Sequence, residues 1–109
     1  MLNLTTQRCK PLEGGNSMGA AEIETLLPQV PGWTHTGAHL QRVFNFGNYH
    51  ETLAFVNALA WICHQEDHHP ELVVTYNRCT VRFDTHSVGG VSINDFICAA
   101  KANALVEAA

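Results

Sequence analysis

A chain of 109 residues suits one compact domain and leaves no room for a second core. With 46% hydrophobic and 15% charged residues, it reads as globular rather than disordered. The net charge is −4 with six Lys and Arg and no run of them, which argues against nucleic acid as a partner because a phosphate-backbone binder needs a basic footprint.

The polar stretch 1–18, loosest at Gly14-Gly15-Asn16-Ser17, reads as an N-terminal tail, with the domain proper over 19–109. It lacks the apolar core of a secretory signal, and no later segment approaches the ~20 apolar residues of a membrane span. Cys9, Cys63, Cys79 and Cys98 form no Cys-x-x-Cys pair, and three of them sit in apolar segments as small hydrophobes. A reducing cytoplasm is therefore expected, with no membrane partner.

Ala20 to Leu27 favours helix, with Ser17 near its start and Pro28, Pro31 and Gly32 stopping it. Trp33 to Thr36 reads as a brief strand, Gly37-Ala38-His39 as a turn, and the even spacing of Leu40, Phe44 and Phe46 as a second strand. Trp33, between a Pro-Gly turn and a strand, is assigned to core packing rather than to stacking on a ligand. Asn48 caps a long helix in which Tyr49, Leu53, Val56, Ala60 and Cys63 form one apolar stripe and Phe55, Leu59 and Ile62 another. So wide an arc predicts burial on two sides, against the domain's own sheet and against a partner subunit. The helix must end near Asp67, because Pro70 disfavours helical angles at His69.

Leu72 to Tyr76 and Cys79 to Thr85 are β-rich and are joined by Asn77-Arg78, which predicts a tight hairpin. On the second strand Val81, Phe83 and Thr85 point one way and Arg82, Asp84 and His86 the other. Arg82 and Asp84 read as a solvated face or a lateral salt bridge. Gly89-Gly90 turns the chain, and Ser92-Ile93-Asn94-Asp95 starts a last helix running to about Val106. Asp95 is open to two readings, helix cap or site residue. The sum is an α+β domain, helix-strand-strand-helix-strand-strand-helix, with a four-stranded antiparallel sheet and helices packed on one face.

His68 and His69 lead into the third strand and His86 leaves the fourth, so antiparallel pairing brings all three to one sheet end. With Asn77-Arg78 as the turn, His69 would face His86. Three convergent imidazoles, titrating near neutrality, make an acid/base site. A metal site is the chemical rival: His64 and His68 are one helical turn apart, and His69, His86 or Cys63 would complete a tetrahedron. The metalloprotease pattern fails, because Gln65 rather than Glu follows the first histidine.

The run Glu66-Asp67-His68-His69-Pro70-Glu71, then Tyr76-Asn77, Thr85-His86, Gly89-Gly90-Val91-Ser92 and Asp95-Phe96, resembles the signature of the pterin-4a-carbinolamine dehydratases. The resemblance runs without a gap from about Asp67 to Ala104 and more loosely back through Trp33 and Leu26-Leu27-Pro28. It implies a hydro-lyase without cofactor or metal that dehydrates 4a-hydroxytetrahydropterin to quinonoid dihydropterin. Such an enzyme recycles the pterin of an aromatic amino acid hydroxylase and assembles as a homodimer or homotetramer. The residues matching the family's catalytic histidines are His68, His69 and His86. Asp67, His68, His69, Pro70, Thr85, His86 and Ser87 match its substrate-binding stretches, with His69 and His86 first choices for proton transfer and His68 for orienting the pterin. Where some members carry a Glu one turn before His68, this chain has His64, so Glu66 or His64 takes that place or the position is dispensable. The alternative is a protein-binding dimerisation or coactivator module, which would not require three histidines.

Overall fold

The computed structural model describes residues 3–107. Helix α1 (Ala20–Leu26) is followed by strands β1 (Thr34–Thr36) and β2 (His39–Asn45), helix α2 (Tyr49–Glu66), strands β3 (Glu71–Val74) and β4 (Arg78–Phe83), and helix α3 (Ile93–Glu107). All pairings are antiparallel in the order β1-β2-β4-β3. This is the α+β architecture expected from the sequence.

One sheet face is apolar and covered. Leu40 and Phe44 of β2 and Cys79, Val81 and Phe83 of β4 are buried against Phe55, Leu59 and Cys63 of α2 and Phe96 and Ile97 of α3. Trp33 belongs to this core, edge-on to Phe44 with ring centroids 6.0 Å apart, its indole N–H donating to Asn103 Oδ1 at 2.8 Å. The opposite face carries the cross-strand rows Gln41, Arg82, Glu71 and Val43, Thr80, Val73. Arg82 donates to Gln41 Oε1 at 2.6 Å and to Glu71 Oε1 at 2.7 Å, a cross-strand salt bridge in which Asp84 takes no part.

Three expectations change. The β3–β4 turn is Tyr76-Asn77, not Asn77-Arg78: Arg78 pairs with Asn45 of β2, and Thr75 N–H donates to Arg78 O at 2.9 Å. Glu71 therefore faces Arg82, and the expected pairing of His69 with His86 does not form. A shift of two residues leaves every side chain on its expected face, so the site's orientation survives the error. Next, β4 ends at Phe83, and His86 begins a 3-10 turn, His86–Val88, closed by Gly89 at φ 71, a conformation that suits glycine. Finally, of the first apolar stripe on α2 only Cys63 is buried; the stripe facing the core is Thr52, Phe55, Leu59, Cys63 and Glu66.

The N-terminal stretch packs as well. Leu4, in a 3-10 turn, is buried in the core. Ser17 does not cap α1, whose N-cap is Gly19, but lies against Gly90, where a Cβ would meet Ser17 Cβ at 2.8 Å. Met18 N–H donates to Val91 O at 2.7 Å.

Candidate active site

A cleft of about 600 Å³ opens at the end of the sheet where β3 begins and β4 ends. His68, His69 and His86 all line it, with Asp67, Thr85 and Ser87; Pro70 does not. Asp84, read from the sequence as part of a solvated sheet face or a lateral salt bridge, also borders the cleft.

The end of α2 delivers the first two histidines. Asp67 takes the left-handed conformation at φ 52, its N–H donating to His64 O and that of His68 to Cys63 O, a Schellman closure of the helix. The sharp turn sends consecutive side chains in different directions. His68 goes inward, its side chain 12% exposed and its ring stacked on Phe83 with centroids 5.8 Å apart. His69 stays exposed on the cleft wall.

His68 meets a carboxylate there. Asp95, fully buried in the first turn of α3, accepts from His68 Nε2 at 2.5 Å through Oδ1, and from Thr85 Oγ1 at 2.9 Å and Ser92 N–H at 2.8 Å through Oδ2. A carboxylate can only accept, so the Thr85 hydroxyl proton is committed to Asp95. Ser92 Oγ, 2.6 Å from Thr85 Oγ1, must donate to it while accepting from Asn94 N–H at 3.2 Å. The chain of donors thus converges on a carboxylate at the positive end of a helix. Asp95 thus serves the helix start through Ser92 N–H and, from beneath the cleft wall, contacts His68, so the two readings of the sequence are not exclusive.

Burial disfavours a charged His68, but the hydrogen bond to Asp95 and its negative charge outweigh that, with smaller help from Cys9 and Asp84, and raise its pKa above the usual histidine value. With Nε2–H committed to Asp95, Nδ1 is the nitrogen left for other chemistry.

His86 and Ser87 arrive from the other side of the cleft on the 3-10 turn that follows Thr85. That turn is anchored because Thr85 N–H donates to Gly90 O at 2.7 Å. His86 is exposed, like His69. The site therefore pairs one fixed, buried imidazole with two accessible ones.

His64 is not part of it: this exposed ring lies 5.7 Å from Trp61 and does not border the cleft. Glu66 does, but its carboxylate, 4% exposed, is occupied. It accepts from Cys9 N–H at 2.8 Å, from Arg8 at 2.8 Å and from Lys101 at 3.0 Å. Burial alone would lift its pKa, and these three donors hold it below the usual value. Among the described residues no group of three or more His, Cys, Asp or Glu is placed to hold a metal ion.

Sequence reasoning missed the fourth wall. Cys9, Lys10, Pro11 and Leu12 of the presumed tail border the cleft, held by Glu66 and by a reciprocal pair in which Lys10 N–H donates to Asn94 Oδ1 and Asn94 Nδ2 to Lys10 O. A polar stretch without periodicity carries no signal for such a strap.

Comparison with known proteins places the chain in a family. The family model described as pterin 4 alpha carbinolamine dehydratase matches residues 16–105. A relative from Stenotrophomonas maltophilia strain R551-3, provisionally named pterin-4-alpha-carbinolamine dehydratase, is 56% identical over 98% of this chain and 95% of its own. One from Nitrosospira multiformis with the same provisional name is 49% identical over 96% and 94%. Among solved structures, a transcriptional coactivator/pterin dehydratase from Brucella melitensis superposes with a TM-score of 0.79 at 32% identity, over 83% of this chain and 98% of that one. A pterin dehydratase-like protein described as a RuBisCO assembly factor in the alpha-carboxysome gives 0.61 at 25% identity, over 71% and 92%. With the family model spanning most of its length and relatives near half identical end to end, this chain belongs to the pterin-4a-carbinolamine dehydratase family.

Proposed function

We propose that the protein is a hydro-lyase that dehydrates 4a-hydroxytetrahydropterin to quinonoid dihydropterin. The observation that carries this reading is the convergence of His68, His69 and His86 on one cleft, with His68 locked to the buried Asp95. The pterin N5 lone pair expels the 4a-hydroxyl. One imidazolium gives its proton to the leaving oxygen, and one neutral imidazole takes the proton from N5, so water departs and the enzyme's proton count is restored. His69 and His86, exposed on the cleft walls, are the proton-transfer pair; His68 binds and orients the pterin. Asp67, Pro70, Thr85 and Ser87 complete the substrate-binding stretches. Thr85 acts there through Asp95, and Pro70 through the turn that aims His69.

In this reading the enzyme uses neither cofactor nor metal, serves an aromatic amino acid hydroxylase in the cytoplasm, and works as a homodimer or homotetramer. No helix among the described residues is long and apolar enough to cross a membrane.

A spectrophotometric assay of carbinolamine dehydration tests the proposal. Wild type accelerates the reaction, and His69→Ala/His86→Ala loses a factor of about 10²–10⁴ with its circular dichroism unchanged. Equal acceleration by both proteins would overturn it.

A second reading, a protein-binding module, is favoured by the uncovered sheet face with its exposed Val43 and Val73. It also fits the assembly role named for the carboxysome protein of similar fold. The same double variant separates the two, because a binding module keeps its partner without the two histidines.

A further inference from the structure

The proton chemistry leaves a pair of thiols beside the cleft unused. Cys9 Sγ on the strap and Cys98 Sγ on α3 are 3.6 Å apart, although the residues are 89 positions apart in sequence. Cys9 is half-buried and borders the cleft, whereas Cys98 is fully buried beneath it. Cys9 is thus the thiol that a small molecule entering the cleft can reach, and Cys98 the one placed to answer it.

We propose that Cys9 and Cys98 are a reversible redox pair, in which a hydroperoxide oxidises Cys9 and Cys98 resolves it as an intramolecular disulfide tying the strap to α3. The Cys9 sulfur attacks the terminal peroxide oxygen and the O–O bond breaks. The alcohol, or water from hydrogen peroxide, leaves with the thiol proton, and Cys9 becomes a sulfenic acid. The Cys98 sulfur then attacks the Cys9 sulfur, the S–O bond breaks, and hydroxide departs as water with the Cys98 proton. Two thiols and one hydroperoxide become one disulfide, one alcohol and one water.

Geometry and electrostatics favour this order of events. A disulfide needs sulfurs about 2.05 Å apart, so they must close by about 1.5 Å. That movement falls to the strap at Cys9, which belongs to no helix or strand, whereas Cys98 is embedded in α3. The hydrogen bond from Cys98 lowers the Cys9 pKa, burial and the Glu66 carboxylate oppose it, and the nearby His68 and Lys101 add to the lowering, with a net fall. The hydrogen bond to Cys9 and burial raise the Cys98 pKa, and burial pushes Cys63 up to about 12 and also raises Cys79, so in the reduced protein Cys9 is the thiol most readily ionised and the first to react.

The test treats the reduced full chain with a small excess of hydrogen peroxide, blocks remaining thiols with N-ethylmaleimide and maps the peptides without reduction. A Cys9–Cys98 cross-link should form and be reversed by dithiothreitol. Cys63→Ser should leave it intact, Cys9→Ser should abolish it and leave Cys98 reduced, and Cys98→Ser should let Cys9 proceed to sulfinic acid. Before oxidation, iodoacetamide should alkylate Cys9 about tenfold or more faster than Cys79. A cross-link through Cys63 or Cys79, over-oxidised Cys9 in the wild type, a purely intermolecular disulfide, or Cys9 no more reactive than Cys79 would each overturn the proposal.

Discussion

Asp95 satisfies the first turn of α3 and holds the inner histidine because its two oxygens face different ways, Oδ2 to Ser92 N–H and Thr85, Oδ1 to His68. Removing its charge while keeping its shape tests both duties. Asp95→Asn should cost about 1.5–3 kcal/mol in urea unfolding, the range for a hydrogen bond involving charged groups, and should lower the His68 pKa in an NMR titration. An unchanged titration would show that the carboxylate does not support the imidazolium. The raised His68 pKa also has a consequence for stability. The folded state holds the His68 proton more tightly than the unfolded chain does, so the stabilisation is fully present below the unfolded value of about 6.5 and is lost as pH rises through the folded pKa. The stability advantage of wild type over His68→Gln should therefore be greatest near pH 6 and shrink toward alkaline pH in paired urea titrations. An advantage that grows with pH would contradict the ion pair. The histidines were legible from residue type and spacing, and so was the cap. The second direction of the Asp95 carboxylate was not, because it depends on the packing of α3 against the end of α2.

The element that aims the site is the end of α2. Its position was readable from Pro70, but its mechanism was not: the helix stops at Glu66 through the left-handed Asp67, before the proline acts. A non-glycine residue in that conformation pays roughly 1–2 kcal/mol. Asp67→Gly should leave thermal stability unchanged or raise it, and Asp67→Val should lower it by about 1–2 kcal/mol, because a β-branched side chain tolerates positive φ worst. If both variants lose stability equally, the Asp67 side chain rather than its backbone holds the turn. At the other end of α2 the sequence reading was complete, since Asn48 Oδ1 accepts from Glu51 N–H at 2.9 Å as its capping pattern predicts. Asn48→Ala should cost about 1 kcal/mol by the same measurement. The β3–β4 register was misread by two residues because Asn77 suits either of two adjacent turns, and the choice is made by β2, which takes Arg78 as a partner for Asn45. Pairing across a crossover is invisible to local pattern, whereas the alternation that points Val81, Phe83 and Thr85 inward is local and survived.

At the scale of the whole molecule, the apolar arc of α2 exceeds what the domain can bury. Thr52, Phe55, Leu59 and Cys63 recur at three- and four-residue spacing and face the core. Trp61, two residues from each of the last two, projects about 200° away from them and is 61% exposed. Ala54, Ala58 and Ala60 on the exposed side are small enough to let another helix approach closely. An exposed tryptophan on a helix that also presents small residues is the kind of anchor that dominates a subunit interface, where truncation commonly costs about 2 kcal/mol or more. If copies of the chain associate through this face, the wild type should exceed monomer mass by light scattering at micromolar concentration. Trp61→Glu should then weaken association about thirtyfold or more, the equivalent of that energy, and shift the mass toward monomer. The variant's circular dichroism should not change, since Trp61 contributes nothing to the core cluster. The cleft lies at the sheet end rather than on this face, so a folded, smaller Trp61→Glu protein that still dehydrates the carbinolamine would separate assembly from chemistry. A wild type already monomeric at that concentration would mean that the outer face of α2 is ordinary surface and the width of its arc has no partner to explain.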